Sequence, residues 1–135
     1  ARAEGANAQG VAELALTLAL AGLRDVVPTN VGMKHGDWPR RIGREMAGAR
    51  VGVVGLGAIG ALFAQFCLAL GAQVQGFDPF APANRIANHA FVRTELPGAL
   101  EGADVVSLHA PMPTDGQPLI GADLWLLHLL AVCAD

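Results

Sequence analysis

With 135 residues, 53% of them apolar and only 16% charged, the chain is sized for one hydrophobic core, and its formal net charge of −3 supplies no basic field for nucleic acid or an anionic lipid surface. So few charges over so much apolar surface imply that part of it is covered by other regions of a larger protein or by a second subunit. Cys67 and Cys133 make no disulfide framework, no metal-ligand cluster is expected, and the longest apolar runs (11–23, broken by Glu13, and 124–133) are too short to span a bilayer. With no signal peptide visible at the start, a cytoplasmic location is the expectation.

The first element expected is a helix over 8–24 with Asn7 as its N-cap, Val11, Leu14 and Leu18 on one face and Leu16, Leu20 and Leu23 on another. A helix apolar nearly all round is expected to be buried. Residues 25–39 read as a connection, with Pro28, Gly32, Gly36 and Pro39 as breakers. Gly43 and Gly48 bracket a short irregular piece before a first strand over 50–54. A second helix runs over 58–70 and stops at Gly71 in the C′ position. A second strand covers 73–77, a loop 79–88, and a brief third strand Phe91 and Val92. One or two helical turns over 95–101 take Thr94 as cap, and 105–108 is a buried strand of the parallel type. Strands alternating with helices predict an α/β, Rossmann-type, doubly wound parallel sheet, incomplete on its C-terminal side. The division expected within this single domain (1–135) is an N-terminal helix and arm (1–46), a βαβ core (50–123) and an atypical apolar tail (124–135).

The chemistry concentrates in the run Arg50-Val-Gly-Val-Val-Gly-Leu-Gly-Ala-Ile-Gly60, followed after a helix-length stretch by Gln73-Val-Gln-Gly-Phe-Asp78. Gly55 permits the tight strand-to-helix turn, Gly57 lets the backbone approach a pyrophosphate, and Gly60 lets the helix pack closely. The helix N-terminus offers free N–H groups to phosphate. Asp78, 18 residues beyond Gly60, ends the second strand where a carboxylate can accept hydrogen bonds from a ribose 2′-hydroxyl. Asp78-Pro79 is also ordinary turn chemistry, and the two roles are compatible. The acid would repel a 2′-phosphate, Pro79 and Phe80 bring no cation, and the nearest base, Arg85, lies too far along the chain, so NAD is expected over NADP.

Several pieces together resemble the NAD-binding domain of the D-isomer-specific 2-hydroxyacid dehydrogenases, the phosphoglycerate and glycerate dehydrogenase group. They are Asn7-Ala-Gln-Gly-Val-Ala-Glu13, Gly36-Asp-Trp38, Gly43-Arg-Glu-Met-Ala-Gly48, Gly55-Leu-Gly-Ala-Ile-Gly60, Phe77-Asp-Pro79, Ala103-Asp-Val-Val-Ser-Leu-His-Ala-Pro111 and Leu119-Ile-Gly121. The resemblance implies backbone amides of Ala58 and Ile59 on the pyrophosphate, Asp78 on the adenosine ribose, and Ala110-Pro111 as the turn lining the cofactor cleft. It also implies a homodimer formed through the N-terminal helix and arm, and a small 2-hydroxy acid as substrate of the full enzyme. His109 reads as a structural member of its turn, Glu13 as a core or interface acid, Trp38 as a packing anchor and Cys67 as a buried thiol.

Departures from the family pattern bear on activity. Pro113 and Gly116 stand where members commonly carry threonines, and the sequence after Gly121 reads Ala-Asp-Leu-Trp-Leu-Leu-His-Leu-Leu-Ala-Val-Cys-Ala-Asp135. No match appears there to the family's carboxylate-binding arginine, supporting glutamate or acid/base histidine, and His128 reads as a helix residue rather than a displaced catalyst. No catalytic residue is therefore assigned. Two functions compete: a dehydrogenase fragment inactive in isolation, and a non-catalytic NAD-binding or dimerising module. Another Rossmann enzyme, such as an adenosylhomocysteine hydrolase relative, is a distant third.

Overall fold

A computed structural model describes residues 7–111, 113–121 and 130–133; the proposed helical setting of His128 lies outside them. The elements are helix α1 (Ala8–Leu23), helix α2 (Val26–Lys34), strand β1 (Arg50–Val54), helix α3 (Ala58–Ala69), strand β2 (Gln73–Phe77), strand β3 (Phe91–Arg93), helix α4 (Leu96–Leu100), strand β4 (Val105–Leu108) and strand β5 (Leu130–Cys133). The strands form one five-stranded sheet in the order β3-β2-β1-β4-β5, and every neighbouring pair is parallel. Strand β5 falls in the tail, for which the sequence predicted no strand.

Alternation along the strands sorts the core onto two faces. Val51, Val53, Val74 and Val105 pack with Phe63, Ala64 and Cys67 of α3 and the alanines of α1. Val54 and Val106 pack with Leu100 and Ile120 on the other side. In β1 the alternate positions, Gly52 and Val54, therefore face α4. The backbone there is so close that a β-carbon on Gly52 would lie 2.1 Å from the Ala99 carbonyl oxygen.

Helix α3 ends as its sequence dictates. Gly71 takes a φ of +84°, Ala72 N–H donates to the Cys67 carbonyl at 3.0 Å and Gly71 N–H to that of Leu68 at 3.0 Å, a Schellman closure that satisfies the last carbonyls.

Four expectations require correction. Helix α1 is not buried all round: its inward stripe is Ala8, Ala12, Ala15, Ala19 and Leu23, whereas Leu14 and Leu18 are exposed. Small residues at helical spacing bring α1 close against α3, with Leu16 and Leu20 half-buried beside the stripe and Leu14 and Leu18 left outside. The 25–39 connection contains helix α2, because Pro28 stands at the third helical position, where the N–H has no partner within the helix. Trp38 is exposed rather than packed as an anchor. The cap of α4 is Glu95, one residue later than expected.

The Gly43–Gly48 piece seats the arm on the core. Arg44 N–H donates to the Leu23 carbonyl at 2.7 Å and Gly48 N–H to that of Gly71 at 2.8 Å, while Met46 is buried. The Arg44 guanidinium pairs with Asp104, whose other oxygen accepts the Arg50 N–H at 2.9 Å. Asp104 thus joins the arm to the first residue of β1.

The close approach at Gly52 yields a test. Gly52→Ala must push α4 from the sheet against a backbone atom that cannot swing aside, and is expected to cost about 2–3 kcal/mol. Urea denaturation of the two proteins measures it; a loss below about 0.5 kcal/mol would mean that α4 yields freely.

Candidate nucleotide-binding site

The glycine loop lies across the carboxyl ends of β1 and β4. Each glycine has a separate physical reason to be there. Gly55 has φ +92°, and a β-carbon on it would sit 2.7 Å from the His109 carbonyl. At Gly60 a β-carbon would come within 1.9 Å of the Gly55 carbonyl oxygen, so only glycine lets α3 start this close to the turn. Gly57 differs: its φ is −67° and, among the described residues, nothing lies within 4 Å of a β-carbon built there. Neither strain nor packing demands glycine at 57, and the space beside it is open.

Helix α3 opens onto the same space. Its first helical hydrogen bond runs from Ala61 N–H to the Gly57 carbonyl at 3.0 Å, so the N–H groups of Ala58, Ile59 and Gly60 precede any acceptor within the helix. No acidic side chain stands in this first turn. Three convergent donors at the positive end of a 12-residue helix suit an anion.

Asp78 closes the site from the end of β2. Its Oδ2 accepts the Leu56 N–H at 2.7 Å, and its Oδ1 accepts those of Phe80 at 2.8 Å and Ala81 at 3.0 Å. One carboxylate therefore fixes the glycine loop through one oxygen and caps its own turn through the other. Burial pushes the carboxyl pKa up, but the Leu56, Phe80 and Ala81 donors and the positive charge of Arg93 outweigh it, and the net direction is below the ordinary carboxylate range. The turn role predicted for Asp78-Pro79 is present. A carboxylate has about four lone-pair sites, so three backbone donors leave Oδ2 room for one hydroxyl.

Ala110 and Pro111 follow β4 beside the loop, with the Ala110 nitrogen 2.9 Å from where a Gly55 β-carbon would be. The structure thus brings Gly55, Gly57, Ala58, Ile59, Gly60, Asp78, Ala110 and Pro111 to one end of the sheet. Arg93 was missed: from β3 it donates to the carbonyls of Ala81, at 2.6 Å, and Asp78. Fifteen residues separate it from Asp78, and only the parallel pairing of β2 with β3 brings it there.

His109 lies beneath the loop. Its Nε2 is 2.7 Å from Ser107 Oγ, its ring is tilted against Phe63 at 5.5 Å between centroids, and Nδ1 is buried without a hydrogen-bond partner among the described residues. Burial pushes its pKa down to about 4, so the ring is neutral near pH 7 and supports the turn. Glu13 is exposed rather than in the core and accepts from Gln9 Nε2 at 2.7 Å. Cys67 is buried, and burial pushes its thiol up to about 12, which leaves it unreactive. Among the described residues no group of His, Cys, Asp and Glu could hold a metal ion, and no helix is long and apolar enough to cross a membrane. A cavity of about 570 Å³ lined by Leu68, Val74, Gln75, His89 and Val92 lies at the amino ends of β2 and β3, the opposite end of the sheet from the glycine loop.

A parallel sheet in this order, with a glycine loop and helix N-terminus at the carboxyl end of β1 and an acid at the end of β2, defines a dinucleotide-binding Rossmann domain. A sequence model of the D-isomer specific 2-hydroxyacid dehydrogenase NAD binding domain matches residues 16–127, and the chain belongs to that family, whose cofactor is NAD and whose substrates are small 2-hydroxy acids. It is 38% identical over 124 residues to (S)-sulfolactate dehydrogenase of Chromohalobacter salexigens, covering 90% of this chain and 40% of that protein. It is 37% identical over 116 residues to D-3-phosphoglycerate dehydrogenase of Mycobacterium tuberculosis, covering 84% and 22%. Among solved structures, a D-lactate dehydrogenase from Sporolactobacillus superposes with a TM-score of 0.81 at 29% identity, over 93% of this chain and 39% of that one. The NAD-complexed D-isomer specific 2-hydroxyacid dehydrogenase from Lactobacillus delbrueckii ssp. bulgaricus gives 0.80 at 26% identity, over 93% and 40%. The chain therefore spans at most 40% of the length of these relatives.

The sign of the His109 shift gives a second test. Its folded-state pKa of about 4 lies below the ordinary 6.5, so the unfolded chain takes up this proton first as pH falls. The stabilisation is complete above pH 6.5 and is lost on descending to about pH 4. His109→Gln should flatten that part of the stability profile in urea titrations; an unchanged slope would show that other groups cause it.

Proposed function

We propose that this chain binds NAD in the cleft over the glycine loop and forms the cofactor half of a D-2-hydroxyacid dehydrogenase. The observation that carries the reading is the open space beside Gly57, faced by the amino end of α3 and closed by Asp78. In this reading the Ala58 and Ile59 N–H groups hold the pyrophosphate, Gly57 leaves it room, and the remaining Oδ2 lone pair of Asp78 accepts the adenosine 2′-hydroxyl. Ala110 and Pro111 wall the cleft. NAD held there would supply the hydride donor or acceptor for C2 of a 2-hydroxy or 2-keto acid, and no group of this chain is assigned to the accompanying proton transfer. The same reading places the chain in the cytoplasm, where the free Cys67 thiol stays reduced.

Equilibrium binding of NADH and NADPH to the purified chain tests the cleft. NADH is expected to bind more tightly by about tenfold to a hundredfold, the equivalent of one charge-assisted hydrogen bond plus repulsion of the 2′-phosphate. Asp78→Ala should narrow that gap. Gly57→Val, whose β-carbon would enter the open space with no atom of the described residues within 4 Å, should abolish binding of both cofactors and leave the thermal midpoint near that of the unmodified chain. Equal affinities for the two cofactors would overturn the role of Asp78, and full binding by Gly57→Val would overturn the phosphate position.

We further infer that the chain pairs with a second copy through residues 8–46. Support comes from exposed Leu14, Leu18, Val26, Val27, Val31, Met33, Trp38 and Ile42, the last at 98% exposure, all on α1, α2 and the arm. Helix α2 buries none of its residues within this chain, so its apolar side chains lack cover until a partner supplies it. Sedimentation at micromolar concentration should give a dimer, and Val27→Asp combined with Leu18→Asp should dissociate it. A folded monomer before mutation would rule the pairing out.

A further inference from the structure

We propose that Arg93 is a positioning residue for cofactor choice: by bracing the turn from Asp78 to Ala81 it holds the Asp78 carboxylate where that group selects NADH over NADPH. The inference rests on the proposed ribose-binding role of Asp78. Arg93 ends the edge strand β3, in register with Gly76 of β2. That position puts its guanidinium at the carboxyl end of the sheet, beside the turn. Nη1 donates to the Ala81 carbonyl at 2.6 Å and Nη2 to the Asp78 carbonyl.

The turn is thereby held from two sides. From within, Asp78 Oδ1 accepts the Phe80 and Ala81 N–H groups; from without, Arg93 ties together the carbonyls of its first and last residues. The planar, fixed fork of guanidinium donors matches two carbonyls at once, which the point charge of a lysine does not. The carboxylate reaching the glycine loop at Leu56 is rooted in this braced turn. The arginine's charge adds to the donors that keep the carboxyl ionised against burial.

The arrangement also assigns a sense to a cation near this site. An arginine near the second strand's end can serve to accept a 2′-phosphate. Here two of its N–H groups are engaged by backbone carbonyls, so it strengthens the acid that rejects that phosphate. The two roles predict opposite outcomes when it is removed.

The test measures dissociation constants of NADH and NADPH for the full chain and for Arg93→Ala, Arg93→Lys, Asp78→Ala and the Arg93→Ala/Asp78→Ala double variant. Arg93→Ala is expected to weaken NADH about threefold to tenfold, with NADPH changed less than about twofold, so the preference narrows. Arg93→Lys should recover only part of it, and in the Asp78→Ala background the arginine change should have no further effect on NADH. A larger loss for NADPH than for NADH would overturn the proposal, since it marks a phosphate ligand. An unchanged preference, full recovery by lysine or an equal effect without Asp78 would also overturn it. Should Arg93→Ala fail to fold, Arg93→Lys and Arg93→Gln carry the same comparison. Failure of the unmodified chain to bind NADH would strike the parent reading; normal NADH preference with indifferent Arg93 variants would strike this one alone.

Discussion

The approach of α3 to the end of β1 is the constraint on which the nucleotide site depends. A β-carbon on Gly60 would stand 1.9 Å from the Gly55 carbonyl oxygen, and one on Gly55 would strike the backbone at His109. With hydrogens in their place, helix, loop and the turn after β4 meet at van der Waals contact. The three donors of the first helical turn then face the mouth between β1 and β4 rather than the sheet. A methyl at either position would push the helix outward and move those donors by a distance comparable with a hydrogen bond's whole tolerance.

That geometry is shared among few groups. Leu56 is buried under the loop and its N–H is held by Asp78, while Gly55 N–H donates to the Phe77 carbonyl at 2.8 Å. Loop and second strand are therefore one unit, and the ribose-side acid is also the loop's anchor. Substituting Asp78 consequently perturbs loop position as well as charge, so selectivity between two cofactors is the more informative measure than affinity for either.

Much of this was legible in the sequence because it depends on local pattern. Strands β1, β2 and β4 fall at their expected positions: β1 is a valine-rich run ending at Gly55, β2 a short run ending at Asp78, and β4 a short apolar run of the buried parallel type. The end of α3 follows from Gly71 alone. What was not legible depends on pairing across the sheet. Arg93 reads as an ordinary charged residue on a short strand until β3 lies beside β2. Asp104 likewise shows nothing in its neighbours of its tie to Arg44 and to the first N–H of β1. Helix α2 was hidden for another reason: Pro28 and Gly32 are breakers by composition, and only their positions within the helix make them tolerable.

The misjudged burial of α1 has a physical consequence for the whole surface. An alanine stripe buries little apolar area per residue, but it lets two helix backbones approach closely, and the sheet core beneath gains from that fit. Leu16 and Leu20 flank the stripe half-buried against the core, and Leu14 and Leu18 are left pointing away from the domain. Leu14 and Leu18 of α1 are thus exposed, as are Val26, Val27 and Val31 of α2. The high apolar fraction of the chain is in part a property of these exposed side chains, not of the interior. Water contact with so many aliphatic groups costs free energy that scales with their area, about 25 cal/mol per Å², and the cost persists until another protein surface covers them. Composition alone registered that excess; only the direction of the alanine stripe shows where it is placed.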